Sequence, residues 1–95
     1  MLYKKSVFPP MNMTEFLRAA SKRERAEVAE RCDTTVPYLY QLAGRHRNAG
    51  VPLAARIEAH TADLASRTQG RLREVPGRTL VLHPEQYKSP VPEDA

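Results

Sequence analysis

Arg45, His46 and Arg47 stand in a row with no acidic neighbour, and Asn48 follows them. Side chains of this kind grip phosphate oxygens. Just before the run, Gln41 carries a primary amide whose donor and acceptor match N6 and N7 of adenine. The plainer reading of residues 45–48 is a solvated basic loop, and their surroundings in the chain must decide between the two. Catalytic chemistry finds no comparable set. His46, His60 and His83 are 14 and 23 residues apart, and a single cysteine leaves no second thiol for a zinc site. There is no glycine-rich phosphate loop and no serine in a nucleophile-elbow setting. No catalytic residue, metal or cofactor is therefore assigned, no small-molecule ligand is expected, and the chain is not expected to be an enzyme.

Composition points the same way. A chain of 95 residues forms one small domain with a modest core, which leaves little room for a deep cleft. Lys and Arg number 15 against 11 Asp and Glu, a net charge of +4. Residues 1–60 hold ten of the basic and six of the acidic side chains, whereas 61–95 hold five of each, so the surplus lies in the half that contains Gln41 to Asn48. Cys32 cannot form an internal disulfide and sits among apolar positions, as a buried thiol in a reducing compartment would. The opening MLYKKSVFPPM lacks the apolar run of a signal peptide, and no segment approaches membrane-spanning length. A cytoplasmic protein without membrane contact is expected.

The element that must position these side chains is Arg25 to Gly44, RAEVAERCDTTVPYLYQLAG, which reads as two short helices joined by a tight turn. Val28, Cys32, Leu39 and Leu42 recur at helical spacing on either side of Asp33-Thr34-Thr35, so the two helices share a core, and the small Ala29 lets them approach. Thr35 can cap the second helix and Pro37 suits its first turn. Asp33 is one of the few residues other than glycine that accepts a left-handed turn at modest cost. Around this pair, Thr14 is expected to cap a first helix with Phe16, Leu17 and Ala20 on one side. Ser21-Lys22-Arg23-Glu24 is a capping box opening a helix to Cys32, whose mixed charges, Glu27 with Arg31 among them, read chiefly as a solvated face. The next helix runs from about Val36 to Ala43, with Gly44 as its left-handed stop. Val51-Pro52 leads into a fourth helix with Leu53, Ala54, Ile57 and Leu64 inward, followed to about Ser66 unless Thr61 caps a separate fifth one.

A helix-turn-helix places its second helix in the major groove amino-terminus first. Thr35, Val36, Pro37, Tyr40 and Gln41 are then the candidate base contacts, with Val36 and Pro37 offered to a thymine methyl. Tyr38, beside the buried Leu39, is expected to pack its ring in the core. Ser21, Arg45, His46, Arg47 and Asn48 are the candidate phosphate contacts, Ser21 because a helix amino-terminus presents free N–H groups.

The segments MNMTEFLRAASKRERAEVAERC, YLYQLAGRHR and VPLAARIEAHT together resemble the helix-turn-helix of phage Cro and repressor proteins, in particular the short YdaS-type Cro-like regulators. The resemblance spans Met11 to Thr61, about half the chain. Where the family usually continues with a glycine pair and a short charged ending, this chain has Ala62-Asp63 and a longer tail. The resemblance implies an all-α, lambda-repressor-like domain of four to five helices. It also implies transcriptional repression of phage or prophage type, through a double-stranded DNA operator bound by a homodimer. The alternative is an antitoxin-like or other interaction module whose tail binds a partner protein.

Outside the helices, residues 1–11 read as an arm in which Pro9-Pro10 favours extended chain and Lys4 and Lys5 are offered to a phosphate or groove. Met11 and Met13 are alternative candidates for the translation start. Residues 12–66 form the expected DNA-binding domain, 67–88 an extension, and 89–95 a disordered tail. Gln69-Gly70 ends the helical pattern and Pro76-Gly77 makes a turn. Arg78 to His83 is the one good strand candidate, and residues 79–83 are expected to pair with the same strand of a second subunit, the competing arrangement being that they fold back as an apolar strap on the helical core.

Overall fold

A computed structural model describes residues 8–90. The described residues hold four α-helices, α1 Met13–Ala19, α2 Lys22–Arg31, α3 Val36–Ala43 and α4 Val51–Arg67, followed by short 3-10 turns at Gly77–Thr79 and Pro84–Gln86. The fold is all-α, and no strand occurs among the described residues. Local chemistry fixes each helix start. The Ser21 hydroxyl accepts from the Glu24 N–H at 3.1 Å while the Glu24 carboxylate accepts from the Ser21 N–H at 2.8 Å, which is the reciprocal box expected. Thr35 caps α3 by accepting from the Tyr38 N–H at 3.2 Å. At α1 the cap is Asn12 and not Thr14, because Asn12 holds the extended backbone a cap needs and exchanges bonds with Glu15 at 2.8 and 3.0 Å. Thr14 lies inside the first turn, where its hydroxyl donates to the Ala43 carbonyl at 3.4 Å and ties α1 to the end of α3.

Three helices end in the same geometry. Asp33, Arg45 and Gln69 have φ of 56°, 61° and 54°. The N–H of the residue after each reaches back to Ala29, Gln41 and Ala65, at 2.8, 3.0 and 3.0 Å. These are Schellman caps with the left-handed position filled by a residue other than glycine. Gly44 does not take that role, since its φ is −81° and Arg45 beyond it makes the reversal. An L-residue pays roughly 1–2 kcal/mol for left-handed backbone, partly offset by the greater freedom glycine loses on folding. Gln69→Gly is accordingly expected to stabilise the protein by about 0.5–1 kcal/mol, read as a rise in the urea midpoint with an unchanged slope.

The core joins all four helices. Phe16, Leu17, Val28, Cys32, Leu39, Leu42, Ala54, Ile57 and Leu64 are buried together, and Ala29 is buried as its small size suggested. α1 packs on α3, and α2 packs on both α3 and α4. Burial pushes the Cys32 thiol up to about 11, which makes it a packing group and not a nucleophile. α4 continues unbroken through Thr61, so no fifth helix starts there. The Thr61 side chain is fully buried, donates to the Ile57 carbonyl at 2.7 Å and accepts from the Val75 N–H at 2.9 Å.

That last bond begins the largest departure from expectation, because residues beyond 66 are woven into the same core. Leu72, Val75 and Leu80 are buried with the helical residues. The expected strand from Thr79 is a turn instead: the Thr79 N–H and hydroxyl both bond to the Pro76 carbonyl, at 3.1 and 2.6 Å. Leu80 then turns inward and Val81 packs partly against the core, whereas Leu82 stays 66% exposed, so two of the three residues in the apolar row that suggested an intermolecular edge serve their own chain. The structure follows the fold-back arrangement. Residues 8–11 are not a free arm either, for Met11 is buried and its N–H donates to the Glu74 carbonyl at 2.9 Å. Lys4 and Lys5 lie outside the described residues, as do 91–95 of the expected tail.

The mixed charges of α2 are more than a solvated face. Glu27 takes Arg31 at 3.3 Å and Arg67 at 2.6 Å, and Arg67 also holds Asp63 at 2.9 Å. Arg71 pairs with Glu24, and Arg25 donates to the carbonyls of Leu17 and Ala20, at 3.0 and 2.7 Å, closing the end of α1. The hydrogen bond from Arg71, followed by that from the Ser21 N–H, holds the Glu24 carboxyl below its ordinary value of 4.5. A lowered folded pKa gives stability that is complete above the unfolded value and lost as pH falls through the folded one. Arg71→Gln should therefore cost less than about 1 kcal/mol near neutrality, given the half-exposed arginine, and the cost should vanish in urea titrations well below 4.5.

Candidate nucleic-acid interface

α3 divides into two faces by its own periodicity. Leu39 and Leu42 are buried, and Tyr38 packs partly against the core as expected. Pro37, Tyr40 and Gln41, three and four residues apart, share the opposite face and are exposed, Tyr40 at 50%. Thr35 is exposed at the start of the helix. Its oxygen is committed to the cap, which leaves its hydroxyl hydrogen free to donate outward. Val36 departs from the expected set, since it is half-buried and packs against the core, which reduces what it can offer to a base.

The Schellman cap after α3 aims the basic run. The Arg45 N–H bonds to the Leu42 carbonyl at 3.2 Å and the His46 N–H to that of Gln41 at 3.0 Å, so the backbone reverses immediately beyond the exposed face. Gly44 lets this happen closely, because a Cβ there would press within 2.9 Å of the His46 ring. Arg45, His46, Arg47 and Asn48 are all exposed. None of the ion pairs among the described residues involves them. Arg31, Arg67 and Arg71, by contrast, each have a carboxylate. The cationic surface beside α3 thus has no ion pair of its own among the described residues.

The far end of the loop is fixed by a contact that the sequence did not disclose. Ala49 is buried and its N–H donates to the Leu80 carbonyl at 2.8 Å. Arg45, Thr79, Leu80, Asn12 and Thr14 line a depression of about 110 Å³ nearby. Ligand pockets for drug-sized molecules start near 300 Å³. Ser21 stands apart from the other candidates. Its N–H and oxygen are both used in the capping box, whose Glu24 carboxylate accepts that N–H while pairing with Arg71.

Among the described residues no group of His, Cys, Asp and Glu could hold a metal ion, and no helix is long and apolar enough to cross a membrane. Comparison of the chain with protein-family models, with curated proteins and with solved structures gave no match.

Proposed function

We propose that this protein is a sequence-specific, non-enzymatic DNA-binding regulator of the Cro-like kind, acting as a repressor of phage or prophage type in the cytoplasm. α3 enters the major groove, with Gln41 reading adenine, Tyr40, Pro37 and Thr35 against neighbouring base edges, and Arg45, His46, Arg47 and Asn48 on the flanking phosphates. The observation that carries this reading is the junction of an exposed face on α3 with an adjacent run, Arg45 to Asn48, whose two arginines and histidine are exposed and take part in no ion pair among the described residues. A single such helix reads few base pairs, and a two-fold homodimer with recognition helices roughly 34 Å apart supplies a useful operator. The antitoxin-like alternative needs a tail available to a partner. It draws no support from a segment in which Gly77 and Tyr87 are already bonded to Glu58 of α4.

The test is binding of the purified chain to the DNA flanking its own gene, against unrelated DNA of equal length, across a salt series. Preference for the flanking DNA, with affinity falling steeply as salt rises, is the expected result; equal, weak binding to both would sink the reading. Arg45 gives a sharper check. Its left-handed backbone favours glycine, whereas its side chain favours phosphate. Arg45→Gly should raise stability by about 0.5–1 kcal/mol while weakening DNA binding and lowering the salt slope by about one unit. A variant that gained stability and lost no affinity would remove Arg45 from the interface.

A further inference from the structure

Behind the basic loop lies a strap, residues 77–89, that one buried carboxylate holds in place. Glu58 projects inward from α4 and is 3% exposed. Its Oε1 accepts from the Gly77 N–H at 2.7 Å and from the Tyr87 hydroxyl at 2.9 Å, and its Oε2 accepts from the Ser89 hydroxyl. A carboxylate out of water is costly unless its lone pairs are filled, and here three donors from the strap fill them. Gly77 belongs to this arrangement sterically as well, since a Cβ there would collide with the Tyr87 phenol. The strap then meets the loop: Leu80, just beyond Gly77, accepts from the Ala49 N–H, and Arg45 shares a depression with Thr79 and Leu80. Among the described residues this is the one backbone hydrogen bond that ties residues 45–49 to a segment distant in sequence.

We propose that Glu58 is a positioning residue for DNA binding, one that never touches DNA but holds the strap and, through Leu80 and Ala49, orders the loop that presents Arg45 and Arg47. This inference rests on the reading of that loop as a phosphate contact. Its physical basis is preorganisation: a loop ordered before binding does not surrender that entropy when phosphates arrive. A carboxylate that merely stabilised the fold would affect all core amides alike. A positioning role predicts a local effect at Ala49 and a change in the number of phosphates engaged.

The experiment uses the full chain in two measurements: amide exchange by NMR, comparing Ala49 with Leu39 in α3, and binding to a random-sequence DNA duplex across a salt series. In Glu58→Ala the Ala49 amide should exchange at least about tenfold faster relative to Leu39, since three bonds to a buried group are lost. The log–log salt slope should fall by about two units, one for each arginine no longer held. Glu58→Gln keeps a carbonyl oxygen for Gly77 and Tyr87 and an amide for the Ser89 oxygen, so it should restore both. Should Glu58→Ala fail to fold, Tyr87→Phe combined with Ser89→Ala removes two of the three bonds and should loosen the same amide to a smaller extent. Unchanged relative exchange at Ala49 in the folded variant, or a loosened Ala49 with an unchanged slope, would overturn the proposal. Absence of salt-dependent binding by the unaltered chain would instead overturn the DNA reading, and the hold of Glu58 on the loop would then be decided by Ala49 exchange alone.

Discussion

Gln41→Ala is expected, on the proposed docking of α3, to erase most of the preference for an operator while leaving affinity for random DNA nearly intact. Gln41 is exposed on the face of α3 opposite Leu39 and makes no side-chain bond within the described protein, so its removal disturbs neither core nor cap. A good bidentate amide contact to adenine carries roughly 1–3 kcal/mol of discrimination, equivalent to about a tenfold to hundredfold loss in the operator-to-random ratio. Arg47→Ala should behave oppositely. With no carboxylate to release, it loses one phosphate contact on every sequence, lowering both affinities together and reducing the salt slope by about one unit. Both variants can be measured by titrating a duplex selected by the unaltered protein from a random pool, alongside an unselected duplex, at several salt concentrations. An unchanged ratio in Gln41→Ala would mean that α3 docks through another face.

Thr61→Val is expected to destabilise the protein by about 1–3 kcal/mol, although it keeps size and shape and adds a methyl in place of a hydroxyl. Thr61 is fully buried, and its oxygen is the partner of the Val75 N–H. Valine leaves that amide without an acceptor in a place water does not reach, and the cost is that of an orphaned donor rather than of one average hydrogen bond. Thr61→Ser keeps the hydroxyl and loses only a methyl, so it should recover much of the difference. Equilibrium urea unfolding of the three proteins provides the comparison. If valine were tolerated as well as serine, Val75 would have to be held by apolar packing alone.

Chemistry that acts within a few residues was readable along the chain before any tertiary contact was known. The capping box at Ser21 and Glu24, the cap at Thr35, the tolerance of Asp33 for a left-handed turn and the extent Val36–Ala43 are all local, and all were legible. The inward rows containing Val28, Cys32, Leu39, Leu42 and Ile57 were legible too, because helical periodicity exposes a buried stripe before any partner is known. The cap at Asn12 is equally local, since its three-residue spacing to Glu15 is the same reciprocal pattern as Ser21 with Glu24, and it outcompetes Thr14 for the helix start.

Tertiary structure decided the rest, for a physical reason common to every case. Leu80-Val81-Leu82 has strand-like composition, but composition does not say whether an apolar row will find another chain or its own core; here Leu80 joins the core and its carbonyl accepts from the Ala49 N–H. Thr61 and Glu58 look like ordinary polar positions on a helix, and only the return of residues 74–89 makes one an acceptor for Val75 and the other the anchor of three donors. Likewise the charges of α2 read as solvated until Arg67, at the end of α4, and Arg71, just beyond it, arrive. Buried polar groups are satisfied by whichever donors the fold brings near, and those donors lie 14 to 31 residues away in sequence. No local pattern encodes such a pairing, which is why the helices could be read from the chain and the strap that closes over them could not.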